Sequence, residues 1–144
     1  IKVYEDGVAP FGNAGITDRA KWVPAIGKVG GFRRAETPWG RNVWQRSDID
    51  WDLIRPDGFT NLEAAQRGLS PMRYNGVSWE KVELHHLNQA PQGSLAEIWA
   101  STHRRVQHNA PPPSWRVTDP AAATKFRQEV PTYWEWRAKL ERGE

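Results

Sequence analysis

Gly7, Pro10, Gly12, Gly15, Pro24, Gly27, Gly30, Gly31 and Pro38 break up the first 40 residues so often that no periodic pattern there reaches helix length. Residues 1–40 therefore read as an irregular arm, with one short helical piece near Asp18 to Val23, and regular structure has to be built after it. The arm is also basic: residues 1–46 carry 8 basic and 4 acidic side chains. No internal repeat is present, and the one biased tract, Ala110-Pro111-Pro112-Pro113, is too short to link two domains. A chain of 144 residues has the size of one domain, which at about 150 residues buries roughly 70% of the surface its unfolded form exposes. A single domain over residues 1–144 is the expectation.

Core material comes from aromatics. Mean hydropathy is −0.76, yet 9 Trp, 4 Phe and 3 Tyr supply large apolar side chains, and Trp99 is expected to be buried. The absence of cysteine excludes disulfides, thiolate zinc fingers, iron–sulfur clusters and a cysteine nucleophile, so any metal chemistry must use His and carboxylates. A net charge of +3 and a pI near 9.4 favour anionic partners only mildly. No apolar run approaches the roughly 20 residues of a membrane span, and Ile1 is not followed by a basic stretch leading into an apolar one, so no membrane partner is expected. The chain starts at Ile1 and its one methionine is Met72, which points to a piece of a longer polypeptide with any targeting signal upstream.

Beyond the arm, Asn42 to Gln45 reads as a short strand. Thr60-Asn61-Leu62-Glu63 has the spacing of a capping box opening a short helix that Gly68 closes. Val77 to Leu87 alternates, with Val77, Trp79, Lys81 and Glu83 against Ser78, Glu80, Val82 and Leu84, which predicts a strand over at least its second half. After a turn over Asn88 to Ser94, Leu95 to Trp99 returns as a second strand. Ser101 then serves as N-cap of a helix across Thr102 to His108 that Pro111 ends. Asp119-Pro120 is an N-cap and N1 pair opening a helix to about Glu129; Pro131 breaks it and starts another that Gly143 stops.

All four histidines, His85, His86, His103 and His108, lie within 24 positions. A strand followed by a helix brings imidazoles about 18 residues apart onto one ion, because imidazole is the commonest nitrogen ligand for a transition metal. Adjacent His85 and His86 point in different directions along a strand, so they suit different tasks: one as a ligand, the other as a base. The plain alternative is a set of surface and capping histidines. Asp48, Asp50 and Asp52 alternate as calcium ligands do, but Leu53 stands where that loop needs Gly and no Glu occupies its twelfth position. Gly30-Gly31 lacks the ending of a phosphate loop, and no Gly-x-Ser-x-Gly is present.

Val82-Glu83-Leu84-His85-His86-Leu87-Asn88-Gln89 resembles the Leu-His-His branch of the HNH and endonuclease VII superfamily, nuclease domains found at the C-terminal ends of bacterial polymorphic toxins. The likeness extends through Ser47 to Asp52, Gly58 to Leu62, Ala65 to Pro71, Leu95 to Ile98 and His103-Arg104, roughly residues 43–110. Glu83-Leu84-His85-His86 also resembles the catalytic strand of the nuclease colicins. The resemblance implies an α+β fold with a ββα-metal (His-Me finger) core over residues 43–110, between the arm and C-terminal helices over 119–142. It implies His85, His103 and His108 as ligands of one divalent ion (Zn, Ni, Mg or Mn), His86 as general base, and Glu83 as a carboxylate orienting a histidine or an arginine. His103 and His108 are five apart, about 140° around an ideal helix, so either the helix ends before Asn109 or His108 faces substrate.

Hydrolysis of a phosphodiester needs a deprotonated nucleophile and neutralisation of the charge that builds on phosphorus, and a histidine base contributes on the order of 10²–10⁴ in rate. Arg104 and Arg105 are placed to clamp flanking phosphates, Asn88 and Gln89 to brace the inter-strand loop, and Arg33-Arg34, Arg41 and Arg46 to meet the backbone along the groove. The expected activity is that of a metal-dependent DNase with little sequence preference. Its implied setting is an antibacterial toxin: the tail of a larger effector polypeptide, secreted from its producer, acting in the cytoplasm of a target bacterium and neutralised by a cognate, acidic immunity protein. Two rivals remain, an RNase using the same site and a catalytically silent binding module whose histidines hold structural zinc.

Overall fold

The computed structural model describes residues 32–86, 94–103 and 118–144. The arm before Phe32, with the helical piece expected near Asp18 to Val23, lies outside the described residues, as do Arg104, Arg105 and His108. Among the described residues, five strands and three helices follow in order: β1 (Phe32–Glu36), β2 (Asn42–Arg46), α1 (Asn61–Gln66), β3 (Met72–Tyr74), β4 (Trp79–His86), β5 (Leu95–Trp99), α2 (Ala100–His103) and α3 (Pro120–Glu141). Among the described residues no helix is long and apolar enough to cross a membrane.

The strands form one sheet in the order β1-β2-β5-β4-β3, antiparallel throughout except for the β2–β5 pair. Strand β5 is central, and every residue from Leu95 to Trp99 is buried, as expected for a strand covered on both faces. Its one charged residue, Glu97, is fully buried and accepts four hydrogen bonds: from the Arg46 backbone N–H (2.8 Å), Tyr133 Oη (2.5 Å), and Arg137 Nε (2.8 Å) and Nη2 (3.1 Å). Burial and the neighbouring Glu97 carboxylate push the Tyr133 phenol well above its ordinary value. For Arg137 burial pulls downward, but Glu97 overrides it and holds the guanidinium charged. This ionic knot ties α3 to the centre of the sheet, and Phe126, Tyr133, Trp134 and Ala138 of α3 close the core over Val43, Val82, Leu84, Leu95 and Trp99.

The capping box at α1 forms as the spacing predicts: Thr60 Oγ1 accepts from the Glu63 N–H, and Glu63 returns a carboxylate to the Thr60 N–H. Gly68 ends the turn at φ +79°, and a Cβ there would stand 2.8 Å from Pro131 Cβ, so this position needs glycine for both backbone and contact.

Pro131 corrects the sequence reading. The expected break is absent, and α3 runs unbroken from Pro120 to Glu141 with Pro131 inside it. An internal proline costs about 3 kcal/mol. Here the residues on both sides of it, Phe126 before and Tyr133, Trp134 and Ala138 after, all bury in one core, and that shared burial holds the helix together. The N-cap assigned to Ser101 is also corrected. Helix α2 starts at Ala100 with no loop after β5, and the Ser101 N–H donates to Glu80 Oε1 at 2.7 Å, so a carboxylate from β4 supplies the cap.

Candidate active site

Side chains alternate along β4, so Glu83 and His85 share one face while Val82, Leu84 and His86 occupy the other. Pairing of His85 with Ala96 and of Glu83 with Ile98 sets this face against β5. Because α2 continues directly from Trp99, its fourth residue, His103, comes back over the same face.

The outcome is a linear chain of three groups. His103 Nδ1 lies 2.8 Å from Glu83 Oε1, and His103 Nε2 lies 3.0 Å from His85 Nδ1. The two imidazoles meet edge to face, with centroids 4.9 Å apart and planes at 75°. Glu83, an acceptor when ionised, requires the proton on His103 Nδ1, which leaves the lone pair of Nε2 aimed at His85. This is the carboxylate–histidine arrangement that fixes ring orientation and tautomer at metal centres. His85 is 2% exposed, whereas the Glu83 and His103 side chains keep 32% and 19% of their surface, so the chain runs from a buried ring outward.

Two nitrogens bound to one tetrahedral ion at about 2.0–2.1 Å sit about 3.3 Å apart. The 3.0 Å between His85 Nδ1 and His103 Nε2 is that of a hydrogen bond and lies a few tenths below this span, so the two nitrogens are close enough to be drawn onto one divalent ion. Among the described residues no three His, Cys, Asp or Glu side chains form a complete cage, and the further ligand implied by the resemblance, His108, lies outside them.

His86 goes elsewhere. Its ring is 5% exposed and packs on Phe126 of α3 with centroids 4.2 Å apart, on the sheet face opposite His85. Nearby, burial pulls the Glu129 carboxyl upward, but hydrogen bonds from Arg41 and Trp39 and the charges of Arg41 and His86 bring it below its ordinary value. The two consecutive histidines therefore belong to different clusters, as their adjacency on a strand predicts.

Arg33 and Arg34 separate in the same way. Arg33 donates through Nη2 to Gln45 Oε1 at 3.0 Å, while Arg34 lies over the Trp44 ring at 5.9 Å. Register across the sheet lines up Arg34, Trp44, Ala96 and His85 on one face, so Arg34 alone of the two shares a face with the His85–His103 pair. Asn88 and Gln89 lie outside the described residues. Arg46, expected to meet the nucleic-acid backbone, is instead 1% exposed and pairs with Asp48, and Arg41 pairs with Glu129. Of the other two aspartates, Asp50 Oδ1 accepts from the Asp52 N–H.

Sequence reasoning missed Glu80. It is 7% exposed, and its carboxylate holds the Ser101 N–H at 2.7 Å, Arg73 Nε at 2.9 Å and Asn75 Nδ2 at 3.2 Å, so it fixes the start of the helix that delivers His103. Burial pulls its pKa upward, but these bonds win and lower it from 4.5 to about 2. In the alternation of β4 it reads as one more polar residue, and nothing in the sequence marks it.

Residues 60–140 match the family described as a nuclease of the HNH/ENDO VII superfamily with conserved LHH. The match spans more than half of the chain, includes Leu84-His85-His86, and agrees with a mixed α+β fold of curled five-stranded sheet and C-terminal helix: the chain belongs to this nuclease family. No solved structure matches it.

Proposed function

We propose that this nuclease is a divalent-ion-dependent endonuclease that hydrolyses DNA with little sequence preference. The observation that carries this reading is the Glu83–His103–His85 chain, in which two imidazole nitrogens converge at 3.0 Å and a carboxylate sets the outer ring. His85 and His103 would hold the ion, which when bound supplies charge neutralisation at the scissile phosphate. Glu83 keeps His103 in the tautomer that presents Nε2. Arg34 meets the nucleic-acid backbone from the same sheet face, and Arg104 and Arg105 follow the helix as further phosphate contacts.

The resemblance assigns proton abstraction from water to His86. His86 packs on Phe126, on the sheet face opposite His85. Loss of cleavage in His86→Ala with fold and metal content retained supports the assignment, and cleavage that survives His86→Ala overturns it.

The same reading makes the chain the nuclease part of a larger secreted effector that acts in the cytoplasm of a target bacterium and is neutralised in its producer by an acidic immunity protein. What supports it is the resemblance of Val82 to Gln89 to toxin nucleases and the net charge of +3. Incubation of the purified chain with plasmid DNA and with structured RNA, under Mg²⁺, Mn²⁺, Ni²⁺ or Zn²⁺ and under chelator, tests the proposal. Nicked and linear plasmid only with an ion is the expected result. Intact plasmid under every ion, or cleavage of RNA alone, overturns it.

A further inference from the structure

The face of β4 that carries Glu83 and His85 continues backward through Lys81 and Trp79, and both are exposed. A cleft of about 600 Å³ takes in this row, its lining including Trp79, Lys81, Glu83 and their neighbour Glu80 on β4, Ser101 of α2 and Arg127 of α3. Its lining therefore includes the carboxylate that orients His103. At 3.3–3.4 Å per residue, Lys81 stands about 7 Å and Trp79 about 13 Å along the strand from Glu83.

The wall combines two chemistries. Trp79, 37% exposed, is braced from the side by Tyr74, with centroids 5.8 Å apart and planes at 67°, so the indole is held in place by its edge contact. The Asn75–Ser78 turn fixes that pair: the Asn75 N–H donates to the Ser78 carbonyl, and Tyr74 Oη donates to the Val77 carbonyl. Lys81 is exposed and enters no ion pair among the described residues. The two acids of the wall are engaged, Glu80 by Arg73 and Ser101, Glu83 by His103. A braced aromatic ring and an exposed cation in one cleft are the elements that bind a single nucleic-acid strand, base on the ring and phosphate on the ammonium.

We propose that this cleft is a strand-binding subsite that grips one unpaired nucleotide beside the cut, with Trp79 stacking its base and Lys81 holding its phosphate. The proposal rests on the nuclease reading for its purpose but not for its test. Binding of a fluorescein-labelled single-stranded oligonucleotide, and of its duplex, is measured by anisotropy in chelator, where no cleavage occurs. Trp79→Ala is expected to weaken single-strand binding roughly ten-fold and duplex binding less, with Trp79→Phe close to the unaltered protein. Lys81→Gln is expected to flatten the dependence of log K on log salt by about 0.7, and Lys81→Arg to restore it.

Unchanged single-strand affinity and salt slope in both variants overturn the proposal, as does an equal loss for the duplex. Should Trp79→Ala fail to fold, Lys81→Gln at its exposed position carries the test alone. A chain that binds through this cleft yet leaves plasmid intact under every ion fails the nuclease reading and keeps the subsite. One that cuts plasmid, with both variants unchanged in binding and in KM, fails the subsite only.

Discussion

Replacement of Glu80 by Gln removes one charge from a nearly buried carboxylate without changing its shape. Its pKa falls from 4.5 to about 2 on folding, because the Ser101 N–H, Arg73 and Asn75 outweigh the cost of burial. Each unit is worth about 1.4 kcal/mol, so the ionised carboxylate contributes about 3 kcal/mol at neutral pH. The folded state binds this proton more weakly than the unfolded state. The contribution is therefore complete above pH 4.5 and disappears as the pH falls through about 2. Urea unfolding of the chain and of Glu80→Gln across this range is expected to show a gap of about 3 kcal/mol at neutral pH that narrows steadily in acid. A gap that does not change with pH, or one below about 1 kcal/mol at neutral pH, refutes the assignment of Glu80 as the charged anchor of α2.

Gly68→Ala places a Cβ 2.8 Å from Pro131 Cβ at a backbone φ of +79°, and the two penalties together amount to about 2–4 kcal/mol, a fall in melting midpoint on the order of 10 °C. Gly40→Ala, at φ +89° with no atom within 4 Å, carries only the backbone penalty and is expected to lose about 1–2 kcal/mol, so calorimetry of the two separates contact from conformation. Arg34→Ala is expected to raise KM for DNA and lower the salt slope of duplex binding by about 0.9, with Arg33→Ala much closer to the unaltered chain because it lies on the other sheet face. An Arg33 effect as large as that of Arg34 contradicts the face assignment.

Local chemistry was legible where one residue type decides the outcome. The capping box at Thr60, the strand through Leu84, the return strand at Leu95 and the N-cap at Asp119 all form, the caps because they rest on contacts within a few residues and the strands because their residue pattern suits extended pairing. The pairing of His85 with His103 followed from their placement on a strand and the next helix, and the separation of His86 from both followed from the twofold period of a strand. What the sequence hid depends on partners far along the chain. Pro131 reads as a breaker until Tyr133 and Trp134 are seen to share a core with Phe126. Glu97 signals only that a charge inside an apolar run needs company, and its company, Tyr133 and Arg137, comes from 36 and 40 residues away. Glu80 acts through a backbone N–H of residue 101, a contact with no signature in residue type.

Calorimetric titration of Zn²⁺ into the chain and into His85→Ala, His103→Ala and Glu83→Gln tests the site most directly. One ion per chain is expected, with loss of that binding when either histidine is removed and a roughly 10–100-fold weaker affinity for Glu83→Gln, the usual effect of losing a carboxylate behind a ligating histidine. One ion bound with unchanged affinity in His103→Ala contradicts this expectation.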